Sequence, residues 1–229
     1  MIPKFLQIIF TLVIFFFTNQ ANSKISDNSF NKKELANYLS AIISYDNQRN
    51  EQSLSYFNSS KSLVKKHENY LKQYIFSLVA NNKVQRAIQE IKVLENNTSS
   101  KFFESYLLLT LDAIIKKNFE GSEEYLNKLS QYKDKGTYEN AIFDTLKIYI
   151  STFKNKKLSS HKSSFQNLNL LNDAFLRCYL DDVNTIDYFD NLVNFPTVDY
   201  SRYLFFYANF LLQNQRVDEA KKLFQNQDT

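Results

Sequence analysis

Few residues in this chain have side chains able to do chemistry. There are 2 histidines, His67 and His161, and 1 cysteine, Cys178. Metal binding needs clustered His, Cys, Asp or Glu at ligand spacing. His67 is followed by Glu68, which points elsewhere on a helix, and His161 stands in a Ser- and Lys-containing stretch. "LDDV" at 180–183 sets two acids side by side. Adjacent positions on a helix face different directions, so the two cannot share a proton for acid–base work. With only 2 glycines, Gly121 and Gly136, no phosphate loop, dinucleotide fingerprint or nucleophile elbow can be built. Cys178 lies in "NDAFLRCYL" among apolar residues at helical spacing, the setting of a small buried hydrophobe. One cysteine also rules out an internal disulfide. "NNTS" at 96–99 contains glycosylation-type sequons, which matter only in a eukaryotic secretory route. The expectation is no catalytic residue, no metal and no cofactor. What remains is a surface, and the elements that carry it.

Those elements are helical. Gly and Pro number 2 each in 229 residues, too few for the turns of a sheet protein. Apolar residues make up 44% and aromatic residues 16%, enough for an extended core. The net charge of +4 is spread thinly, Lys among Glu and Asp, which is a solubility pattern and not a nucleic-acid footprint.

The first residues stand apart. "MIPKFLQIIFTLVIFFFTNQANS" has a basic start at Lys4, an apolar run from Phe5 to Phe17, and small residues Ala21 and Ser23. That layout marks residues 1–23 as a secretory signal peptide, or an uncleaved N-terminal anchor, with the mature chain beginning near Lys24. In a bacterium the protein would be exported to the periplasm or cell envelope. Membrane contact would run only through an uncleaved N-terminal segment.

The rest carries an internal repeat. "NNKVQRAIQEI" (81–91) and "NQRVDEAKKLF" (214–224) share a polar turn, Val, a polar pair, Ala and a later large apolar residue. On the small residue, 34 positions separate Ser53 from Ala87, 35 separate Ala87 from Ser122, and 98 separate Ser122 from Ala220. Four residues later come Phe57, Ile91, Leu126 and Phe224. Twelve residues earlier come Ala41, Ile75, Thr110 and Ala208. Two antiparallel helices must approach closely where they cross. A small side chain permits this, and a large one a turn later fills the space beside it. One such pair cannot close a core alone, so the unit repeats. The spacing predicts about six pairs. The fourth pairs 138–153 with 158–171, and the fifth pairs 172–183 with 185–193.

This pattern resembles the tetratricopeptide repeat, whose unit is 34 residues. Leu204, Ala208, Leu211, Ala220 and Phe224 fall on the family's positions, as do Ala41, Ser53, Phe57 and Ser60. The second repeat departs at Ile75 and Leu94, and the third at Thr110 and Leu129. No repeat has the family's Pro or Trp. With its leader and "NYLSA" in repeat one, the chain is similar to exported tetratricopeptide-repeat proteins of alphaproteobacteria. The resemblance implies a right-handed all-α superhelical solenoid over 24–229; because "LFQNQDT" brings no capping helix, the expectation is that the solenoid is truncated at its C-terminal end or that a partner covers that end. It also implies a groove lined by first helices. Its candidates are Tyr38, Ile42, Tyr45 and Asp46, then Asn69, Lys72 and Phe76, then Glu104, Leu107 and Leu111, then Arg202, Phe205 and Asn209. The implied function is non-catalytic: a scaffold for a protein or peptide partner, or an accessory part of a larger envelope enzyme or assembly complex.

Overall fold

A computed structural model describes residues 31–225, with the side chain of Gln225 left aside. The expected leader and the last four residues fall outside them. Among the described residues there are eleven α-helices and no strand. None of these helices is long and apolar enough to cross a membrane. The chain divides into two compact units, with the boundary between Asn81 and Asn82.

The first unit holds α1 (Lys32–Asp46), α2 (Asn50–Ser59), a short 3-10 turn (Lys61–Lys65) and α3 (Tyr70–Ala80). Asn31 starts α1 by accepting a hydrogen bond from the Lys33 N–H at 2.9 Å. Its core is aromatic. Tyr38, Phe57, Tyr70 and Tyr74 are all buried, with successive ring centroids 5.5–6.1 Å apart. Two of the buried phenols have hydrogen-bond partners. Tyr74 donates to Asn58 Oδ1 at 2.9 Å, and Tyr70 donates to the Phe57 carbonyl. Ser53, at the first small position, is fully buried and hydrogen-bonds Ser77 of α3 at 3.2 Å.

The second unit runs through α4 (Val84–Val93), α5 (Phe103–Ile115), α6 (Phe119–Leu129), α7 (Thr137–Asn155), α8 (Gln166–Tyr179), α9 (Thr185–Val193), α10 (Leu204–Gln213) and α11 (Val217–Gln225). Packing within it is dominated by helices consecutive in the chain, as in a repeat array. Ala87, Ser122 and Ala220 are buried, and so are Thr110 and Ala208 twelve residues before the last two. Leu126 fills its expected place, whereas Phe224 remains 50% exposed and Leu223 packs inward instead.

Four hairpin turns share one geometry. A residue with positive φ ends the first helix: Gln48 (60°), Lys117 (56°), Asp181 (52°) and Gln215 (62°). The next residue's N–H then reaches back five positions at 2.9–3.0 Å: Arg49 to Ser44, Asn118 to Ala113, Asp182 to Arg177, Arg216 to Leu211. This is the Schellman closure, which satisfies carbonyls the helix end would leave open. Asn82 (φ 57°) sits 34 residues after Gln48, and Gln215 sits 34 after Asp181, so the turns keep the repeat's period. None of these residues is glycine, and an L side chain costs about 1 kcal/mol or more there. Replacing Lys117 or Gln215 by Gly is therefore expected to raise stability by about 0.5–1 kcal/mol each. The readout is the midpoint of urea unfolding; a lower midpoint would show that the side chain contributes more than the strain costs.

The period fails between Lys117 and Asp181, and here the predicted pairing is corrected. Residues 156–165 are not helical, and one helix, α8, runs through the expected boundary at 171/172. Among the described residues no helix follows α7 as its hairpin partner, so the expected fourth pair does not form. The reason lies in "SSHKSS". Its backbone groups are taken by side chains: Ser159 N–H to Thr152 Oγ1 at 3.2 Å, Ser163 N–H to Asn169 Oδ1 at 2.7 Å, Ser164 N–H to Asp144 Oδ2 at 3.0 Å. Serine-rich backbone that finds such partners has no need of a helix.

Candidate functional site

The non-helical return decides which helices lie side by side. Ser164, just before α8, bonds Asp144 in the first half of α7, while Phe153 and Tyr179, near both C-terminal ends, meet at 4.5 Å. So α7 and α8 run in the same direction. Tyr200, ahead of α10, donates to the Asn167 carbonyl at the start of α8 at 3.2 Å, so α10 follows α8 in direction. Three parallel helices are thus neighbours in the order α7, α8, α10.

Their side chains form two aromatic clusters, one between α7 and α8 and one between α8 and α10. Tyr149 and Phe153, one turn apart on α7, meet edge to face at 5.5 Å. Phe153 meets Tyr179 of α8. Phe175, one turn back on α8, meets Tyr203 at 5.8 Å and Phe206 at 5.3 Å. Phe206 meets Phe205 at 5.9 Å. The edge-to-face angles, between 74° and 88° for four of these pairs, are those aromatic quadrupoles favour. Three rings remain open to water: Tyr179 at 44%, Phe206 at 48% and Phe205 at 70%. Lys156 closes α7 with φ 53°; its ammonium lies 4.7 Å from the Tyr179 ring centre and donates to the phenol oxygen. Burial raises the pKa of Tyr149, and a charge on Tyr203 would raise it further, so this phenol stays protonated at neutral pH.

Of the predicted groove residues, Arg202, in the 3-10 turn before α10, and Phe205 and Asn209, on α10, are all exposed. On α5, Glu104 and Leu107 are half-buried and Leu111 is exposed. In the first unit, Ile42 and Tyr45 are half-buried, and Asp46 and Asn69 are exposed. Lys72 and Phe76 are half-buried, the ammonium 5.5 Å from the ring centre. Tyr38 is corrected: it is buried, 4.7 Å from the His67 ring and 5.5 Å from Tyr70, and lines no groove. Sequence reasoning missed Tyr149, Phe153, Phe175, Tyr179, Tyr203 and Phe206. The signal was present as aromatic residues spaced three or four apart; Phe175 and Tyr179 do fall on the first helix of the expected fifth pair, but the groove candidates came only from the first three repeats and the last.

Among the described residues, no three His, Cys, Asp or Glu side chains gather as metal ligands would. Two shallow, open depressions of about 520 and 500 Å³ lie at Ser164–Leu168 and along Val93–Thr98, and neither contains a predicted groove residue. Cys178 is half-buried, and its thiol pKa is raised by burial and then by the Asp181 charge. Alkylation by iodoacetamide at pH 7 is accordingly expected to be several-fold slower than for a free thiol, because only the thiolate reacts. A rate at or above the free-thiol value would contradict this placement. Comparison with known protein families, with characterised proteins and with solved structures returned no match for this chain.

Proposed function

We propose that the chain is a non-catalytic scaffold of tetratricopeptide-repeat type, exported to the bacterial envelope, which holds a protein or peptide partner on the aromatic face of α7, α8 and α10. One observation carries this reading. Aromatic clusters join α7 to α8 and α8 to α10, and three of their rings, Tyr179, Phe205 and Phe206, are exposed where a monomer's own core has no use for them. Rigid rings beside an exposed Arg202 are the residue types that anchor protein interfaces, since they bury much area at little entropic cost. The parallel helices α7, α8 and α10 and the buried small residues at 34-residue spacing support the repeat assignment.

The test replaces Tyr179, Phe205 and Phe206 together by Ala and uses the variant as bait in envelope extracts. Recovery of the partner is expected to fall tenfold or more, with the helical circular dichroism unchanged. A control removes three exposed apolar side chains elsewhere, Val93, Ile115 and Val183, and should bind as the parent does. Equal recovery with both variants would sink the proposal.

A further inference from the structure

We draw no further inference here: the strongest candidate, the exposed pair Phe205 and Phe206 of α10 that meets Phe175 of α8, belongs to the surface already described, and nothing in the structure shows what covers it.

Discussion

Phe189→Ala is expected to lower the stability of the second unit by about 3–5 kcal/mol, the range for emptying a fully buried aromatic site. Phe189 of α9 is fully buried. Its ring stacks on Tyr207 of α10 at 5.1 Å with a 10° interplanar angle, and meets Phe175 of α8 at 5.6 Å and 74°. It therefore joins three helices at once, and the others cannot collapse far into the space it leaves. Tyr207 is held by a second constraint, a 2.7 Å hydrogen bond from its hydroxyl to Asp190 Oδ1. Burial and that bond both raise the Tyr207 pKa, so the phenol remains a donor across the accessible pH range. Phe189→Leu should recover more than half of the loss, because most of the volume returns. Urea unfolding measures the cost. Amide exchange locates it: in a stack coupled through nearest neighbours, protection should fall first in α8–α11 and later in α5 and α6. A change below about 1 kcal/mol would show that this ring is not the joint described.

The second large effect lies at the α4–α5 junction. The Asp112 carboxylate is 3% exposed and is bracketed by Lys92 Nζ of α4 at 3.0 Å and Lys116 Nζ at 2.7 Å. Asp112→Ala is expected to cost about 1–3 kcal/mol. The figure stays below that for a sealed ion pair because the lysines are 43% and 57% exposed and can turn to water. Burial alone would raise this carboxyl's pKa. The hydrogen bonds and charges of Lys116 and Lys92 together outweigh it, so the folded value lies below the ordinary aspartate value. The unfolded chain thus binds this proton more readily than the folded one. The contribution is whole above the unfolded pKa of about 3.9 and is lost as pH falls through the lower folded value. The parent should lose stability more steeply than Asp112→Ala below about pH 4. Parallel acid-unfolding curves for the two proteins would refute the pairing.

Much of the fold is legible in the sequence. Period-34 spacing marks the small residues, and every one of Ser53, Ala87, Ser122 and Ala220 is buried. The "FP" break at 195–196 does fall between α9 and α10. The legible features are local: scarce Gly and Pro, apolar residues at helical intervals, and polar turns. The site is less legible. Phe205 and Tyr38 are both aromatic residues near the start of a first helix, yet one is 70% exposed and the other is core. Helical periodicity gives the direction of a side chain relative to its own helix. Whether a neighbour covers that direction depends on residues from other helices, such as Phe57, Tyr70 and His67 around Tyr38.

By itself the amino-acid sequence determined that the described residues are helical, where most helices turn, and which small residues are buried. These follow from side-chain volume and from backbone preference within a few residues. Only the tertiary structure decided that residues 156–165 return without a helix and that α7, α8 and α10 align their rings. Thr152, Asp144 and Asn169 capture the serine-rich backbone from both sides, and hydrogen-bond partners brought together by packing leave no periodic trace in a sequence.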